Sequence, residues 1–300
     1  MSGPVRMHDD ELDIDAALVR RLVAARFPQW AELPVHRVDS AGTDNAMFRL
    51  GPELAVRLPR LVRTADSLGT ELRWLPRLAP LLPVAVPTPL ASGEPTEDYP
   101  CTWSVLRWLP GANPTAGQVT APVRLAEDLA RFVTALRRAD TADAPAAGRG
   151  VPLATRDQPT RAAIEALRGL GLVDVDAVTA AWEQALRVPA RPGPAAWVHG
   201  DLGPGNVLVD RGRLTGVIDF GCAGVGDPTV DLIVAWNLLP AEARPVLRAA
   251  LGADDATWAR GRGWALSISL IQLPYYRHTN PVLAANSLHV IREVLADRQR

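Results

Sequence analysis

The chain has 300 residues, enough for one large domain or two lobes with an ample core. Its formal net charge of −1 and hydrophobic content of 48% exclude the basic footprint of a nucleic-acid-binding protein, and no stretch is apolar for long enough to span a bilayer. Two cysteines, Cys101 and Cys222, are too few for a disulfide framework and fit a reduced cytoplasm, while the acidic N-terminus lacks the apolar core of a signal peptide.

In chain order, residues 13–27 carry Ile14, Leu18, Leu22 and Val23 at helical spacing, with Asp13 as N-cap and Pro28 as the stop. Strands are expected over 35–38, 46–50 and 54–58. The small polar run Ser40-Ala41-Gly42-Thr43-Asp44-Asn45 joins the first two, and by itself it reads as a plain hairpin turn. Leu68, Leu72, Leu75 and Leu78 predict a helix over 66–82, ended by a proline-rich stretch. Strands near 88–92 and 102–108 complete a five-stranded antiparallel lobe that closes at Pro110-Gly111. Beyond it the pattern turns helical. Thr120 caps a helix to residue 139, 141–159 is a loop rich in Ala, Gly and Pro, and helices follow over 161–170 and 174–186. Asp227-Pro228 starts a helix through 238 as N-cap and first-turn proline, and three more helices cover 240–251, 254–273 and 280–297.

Between the helices lies the stretch WVHGDLGPGNVLVDRGRLTGVIDFGCAGVGDPTVD, residues 197–231. It sets three polar clusters in apolar sequence: His199-Gly200-Asp201, then Asn206 five residues after Asp201, then Asp219-Phe220-Gly221 eighteen residues after Asp201. The β-branched runs 207–209 and 214–218 flank the turn Asp210-Arg211-Gly212 and form a β-hairpin. Folding that hairpin brings its outer ends together, so Asn206 and Asp219 face one cavity with Asp201 beside it. Two carboxylates and an amide oxygen are hard donors suited to Mg²⁺ held jointly with phosphates, and a carboxylate left off the metal can take a proton from a hydroxyl.

These residues resemble the catalytic segment of the aminoglycoside phosphotransferase and choline kinase superfamily, which shares the protein-kinase-like fold. Its H-G-D-x-x-x-x-N and I-D-F-G motifs stand here as His199 to Asn206 and Ile218 to Gly221. The resemblance implies a two-lobed α+β architecture: a nucleotide-binding lobe over 1–109, built on the five-stranded antiparallel sheet, and a mainly α-helical catalytic and acceptor-binding lobe over 110–300 that carries the hairpin. It implies Asp201 as catalytic base, Asn206 and Asp219 as Mg²⁺ ligands, and Asp231 as the brace of the catalytic loop. Ser40, Gly42 and Thr43 would cover the phosphates of ATP or GTP, and the backbone of Arg107, Trp108 and Leu109 would meet the purine edge. The strand cation that orients the phosphates is usually Lys. This chain contains no Lys, so the role falls to Arg57, with Glu71 as its helical partner. Two plainer readings stand beside these, a surface charge on an edge strand for Arg57 and a solvated helical carboxylate for Glu71. His199 is read as a loop-positioning residue; a metallohydrolase would need further ligands, and His8, His36, His278 and His289 form no ligand-like cluster.

The expected activity is transfer of the γ-phosphate of ATP or GTP to a hydroxyl of an aminoglycoside-like small molecule, with neither nucleic acid nor membrane as partner. Alternative acceptors are a macrolide or a metabolite such as a choline-like amine, a sugar or an amino acid; a nucleotide-binding pseudokinase is the non-catalytic alternative. Residues 239–300 hold five acidic residues against eight Arg, which argues against a strongly acidic pocket built there for a polycation. Trp236, Trp258, Trp264, Tyr275 and Tyr276 serve either as core or as the lining of an apolar acceptor pocket.

Overall fold

The computed structural model describes residues 6–39, 42–64, 66–116, 118–191 and 193–297. Its contacts divide the chain into one unit of 1–80 with 85–110 and a second of 81–84 with 111–300.

The first unit opens with helix α1, Ala16–Arg26, followed by strands β1 (Val35–Arg37), β2 (Asn45–Leu50) and β3 (Leu54–Pro59). Helix α2, Asp66–Leu78, precedes β4 (Pro89–Gly93) and β5 (Trp103–Arg107). The five strands form one antiparallel sheet in the order β1-β2-β3-β5-β4. On β2 every second residue is buried, Ala46, Phe48 and Leu50, and Leu18, Val19, Leu22 and Val23 of α1 join them in one core with Val56 and Trp103. The N-cap of α1 is Asp15, not Asp13. Asp15 Oδ1 accepts from the Leu18 amide at 2.7 Å, where the buried apolar face begins, while Asp13 is exposed and paired with Arg6.

The second unit holds α3 (Pro122–Arg137), α4 (Asp157–Leu167) and α5 (Val175–Leu186). Next come the short strand β6 (Ala196–Val198), the hairpin β7 (Val207–Asp210) and β8 (Arg213–Val217), and β9 (Gly224–Gly226). The hairpin loop is Arg211-Gly212, both with positive φ (48° and 75°), the backbone that matches the twist of adjacent strands. β6 pairs with β9, a two-stranded ribbon too short to register in the sequence pattern. A 3₁₀ helix Pro228–Ile233 leads into α6 (Val234–Asn237), followed by α7 (Arg244–Ala250), α8 (Asp255–Tyr276) and α9 (Pro281–Asp297).

Several expected boundaries move. Thr120 does not cap α3; the cap position is Ala121, without a side-chain bond, and Pro122 starts the helix with no amide left to satisfy. The helix expected at 161 starts at Asp157, whose carboxylate accepts from Trp182 Nε1 at 2.8 Å on the neighbouring α5. The expected helix 227–238 is 3₁₀ for its first six residues, capped by Asp227 on the Thr229 amide. Trp236, Trp258 and Trp264 are core residues, with the rings of Trp236 and Trp258 at 4.7 Å, whereas Tyr275 is exposed. Among the described residues no helix is long and apolar enough to cross a membrane.

Candidate active site

The Asp201 loop is shaped by a residue far along the chain. Asp231, wholly buried, accepts the His199 amide at 3.0 Å on one carboxylate oxygen and the Gly200 amide at 2.8 Å on the other. Burial pushes the Asp231 carboxyl up, against His199, the two amides and Arg137, which pull it down. Gly200 sits at φ +78°, and a Cβ there would meet the Cys222 carbonyl oxygen at 3.1 Å, so the turn into Asp201 takes glycine. His199 uses both ring nitrogens on backbone. Nε2 donates to the Ile218 carbonyl at 3.0 Å, which leaves Nδ1 as acceptor for the Asp201 amide at 3.2 Å. That engagement makes His199 part of the scaffold and removes the basis for a metallohydrolase.

Ile218 is the junction. Its amide donates to the Asn206 carbonyl at 2.9 Å and its carbonyl accepts from His199, so the residue just before Asp219 ties both ends of the 199–206 loop. Asp219 itself adopts the left-handed conformation, φ 64° and ψ 71°, costly for a residue with a Cβ and kept where the surroundings enforce it. Asn206 turns its amide nitrogen onto Asp201, at 2.8 Å from the carbonyl and 3.1 Å from Oδ2. Its amide oxygen is thereby turned away from Asp201. The set is two carboxylates and one amide oxygen. Among the described residues no three His, Cys, Asp or Glu side chains gather as a self-sufficient metal site. A sparse, hard-oxygen set of this kind fits Mg²⁺ that also takes ligands from phosphate.

Three contributors to this site were not anticipated. Asn113 donates to the carbonyls of Gly205 and Val207, each at 2.9 Å, and so bonds both the end of the loop and the first residue of β7. Asn237 on α6 donates to the Leu202 carbonyl at 2.7 Å. Arg149, from the stretch expected to be a plain loop, forms an ion pair with Asp201 Oδ1 and donates to the Gly200 carbonyl at 3.3 Å. Asn113 and Arg149 lie remote in sequence from the loop they bond, in irregular stretches, whereas Asn237 ends α6, inside the helix expected through 238. Behind the hairpin, Asp128 of α3 accepts from Arg213 through Nε at 2.7 Å and Nη2 at 2.9 Å, and from the Leu214 amide at 3.1 Å. Burial pushes the Asp128 carboxyl up, but these bonds and the charges of Arg213 and Arg131 outweigh it and hold it below the usual range.

In the first unit, Arg57 stands on β3, which is flanked by β2 and β5 and is therefore an inner strand, not an edge. Its guanidinium pairs with Glu71 of α2, and the two side chains are only 6% and 1% exposed, so neither is a solvated surface charge. The neighbouring cations have other partners. Arg60 pairs with Glu11 and Arg63 with Asp10. Gly42 and Thr43 lie in the bend before β2, and the Thr43 hydroxyl donates to Asp44 at 3.3 Å; Ser40 lies outside the described residues. The Arg107 and Trp108 amides already donate to the carbonyls of Thr88, at 3.0 Å, and Glu53, at 2.7 Å.

Known proteins are similar to this chain over most of its length. The model of the phosphotransferase enzyme family matches residues 35–264. An aminoglycoside 3'-phosphotransferase of Streptomyces fradiae is 32% identical over 239 residues, covering 70% of this chain and 82% of that one. One from Escherichia coli is 38% identical over 91 residues, 27% of this chain and only 32% of the relative. Among solved structures, the GDP and kanamycin complex of an APH(2") enzyme superposes with a TM-score of 0.74 at 20% identity, over 93% of this chain and 98% of that one. A macrolide 2'-phosphotransferase from Brachybacterium faecium gives a TM-score of 0.61 at 22% identity, over 92% and 97%.

Proposed function

This chain belongs to the phosphotransferase enzyme family, with the kinase-like α+β fold of the aminoglycoside phosphotransferases, and we propose that it moves the γ-phosphate of ATP or GTP to a hydroxyl of an aminoglycoside-like small molecule. The observation that carries this reading is the Ile218 junction: its amide donates to the Asn206 carbonyl, its carbonyl accepts from His199, the Asn206 side chain donates to Asp201, and Asp219 follows Ile218 directly in the chain. Such a loop has little covalent chemistry to perform; its contribution is positioning and charge.

In this reading the Asp201 carboxylate accepts the acceptor's hydroxyl proton. The Asn206 amide nitrogen holds Asp201 in place while its oxygen, with the Asp219 carboxylate, would hold Mg²⁺. When bound, the metal supplies neutralisation of phosphate charge. Arg57, fixed by Glu71, orients phosphate oxygens with its planar fork. Gly42, Thr43 and Ser40 are proposed to cover the phosphates. Because the Arg107 and Trp108 amides are engaged in the sheet, contact with the purine falls to the carbonyls of this stretch and to Leu109. Residues 1–109 then form the nucleotide-binding lobe and 110–300 the catalytic and acceptor-binding lobe, in a cytoplasmic enzyme.

A second acceptor reading has its own support. The Arg149 guanidinium lies on the Asp201 carboxylate. A guanidinium beside the base disfavours a polycation and favours an acceptor of lower positive charge, such as a macrolide. The test is Mg²⁺-dependent turnover with ATP and GTP against aminoglycosides, macrolides, choline-like amines and sugars. Transfer to one class, lost by at least a hundredfold in Asp201→Asn, is the expected result. Nucleotide binding with no turnover on any acceptor would instead mark a pseudokinase, and full turnover by Asp201→Asn would remove Asp201 as base.

A further inference from the structure

The protein has no Lys, and from His199 to Asn206 the loop that carries Asp201 contains neither Lys nor Arg; two positions after Asp201 stands Gly203. The cation on Asp201 is delivered instead by the segment 145–150, some fifty residues upstream. That segment is a strap laced to the chain just beyond Asp219. Val225 donates to the Pro145 carbonyl at 2.8 Å, Ala147 to Val225 at 3.1 Å, Gly148 to Cys222 at 3.1 Å and Asp227 to Gly150 at 2.6 Å. The strap runs so close over β9 that a Cβ on Gly224 would meet the Ala147 nitrogen at 2.6 Å and the Pro145 oxygen at 2.7 Å. Four backbone bonds and a glycine-cleared surface fix where Arg149 leaves the main chain, and its side chain is 25% exposed against 34% for Asp201. A guanidinium anchored in this way is preorganised.

We propose that Arg149 is a positioning residue for phosphoryl transfer, acting through Asp201: it grips Oδ1 while Asn206 holds Oδ2, so that the carboxylate meets the acceptor hydroxyl in one fixed orientation. The inference rests on Asp201 as the base. Asp201 then has a clamp on each oxygen, one from the strap and one from its own loop. Loss of one clamp leaves the carboxylate chemically intact but rotationally loose. A looser base costs rate, not binding, because orientation enters the transition state and not the affinity for nucleotide.

The experiment compares Arg149→Ala, Arg149→Lys and Asp201→Asn in the full-length enzyme, on the best nucleotide and acceptor. For Arg149→Ala we expect kcat to fall about a hundredfold, with both KM values within about threefold of wild type. Arg149→Lys should recover part of the loss, and free guanidinium at sub-denaturing concentration should raise the turnover of Arg149→Ala but not of Asp201→Asn. Turnover of Arg149→Ala within about twofold of wild type, beside an inactive Asp201→Asn, overturns the inference while leaving the base in place. Loss accompanied by weaker nucleotide binding and a lower melting temperature, unrelieved by Lys or guanidinium, overturns it in favour of a merely structural strap. Full turnover by Asp201→Asn removes the base itself, and the inference with it.

Discussion

Breaking the Arg57–Glu71 pair gives the sharpest stability test of the first unit. Both side chains are nearly fully buried, at 6% and 1% exposure, on an inner strand and its partner helix. Removing one partner therefore leaves a charge in a site that water cannot reach, which costs about 3–5 kcal/mol. Arg57→Ala and Glu71→Ala should each lower the melting temperature by about 6–20 °C, at roughly 2–4 °C per kcal/mol for chains of this size class. The double variant should not lose the sum. With both charges gone there is no orphan to solvate, so its loss should be similar to one single variant or smaller, and Arg57→Met with Glu71→Leu should restore most of the stability. Activity should separate from stability: every variant without Arg57, the apolar pair included, should lose kcat/KM for nucleotide. The assay is a double-mutant cycle on urea melts, run beside the same cycle on kcat/KM. A coupling energy under about 0.5 kcal/mol would refute the buried-pair argument. A near-silent Arg57→Ala beside a damaging Arg60→Ala would show that Arg60 is the phosphate-orienting cation.

Asp219→Ala should abolish the thermal protection given by Mg²⁺-nucleotide; protection equal to wild type would remove Asp219 as a ligand. Asp231→Ala strands the His199 and Gly200 amides in a fully buried site, at about 1–3 kcal/mol each, and should lower both stability and kcat; unchanged melting would contradict the brace. Asp128→Asn tests the hairpin anchor through pH. The native Asp128 carboxyl lies below its ordinary value, so its stabilisation is present above the unfolded value of about 3.9 and lost as pH falls through the native one. The gap in stability between wild type and Asp128→Asn, on the order of 1–3 kcal/mol at neutral pH, should therefore close below about pH 4; a gap constant with pH would show that the charge of Asp128 is not what holds Arg213 and Leu214.

The sequence alone determined the parts of this protein that depend on local pattern. The strand at β2, the helical spacing of α1 and the hairpin turn at 210–212 are short-range signals legible within a residue or two; the structure tightens that turn to Arg211-Gly212, with Asp210 paired in β7. The spacing of Asp201, Asn206 and Asp219 was legible for the same reason, because one hairpin suffices to connect them. Tertiary structure decided what depends on meetings between distant segments. Arg57 became an inner-strand charge only once β5 paired beside β3, a long-range choice that no local signal encodes. Asp15 displaced Asp13 as a cap because the buried face of α1 starts at Leu18, and Thr120 yielded to the fixed backbone of Pro122. Arg149 and Asn113 reach the 199–206 loop from irregular segments whose composition carries no period, and Asn237 reaches it from the end of a helix whose pattern does not announce the contact; they act by satisfying particular backbone carbonyls and one carboxylate. A buried polar group needs a partner but does not specify where in the chain that partner lies, and only the folded chain supplies that address.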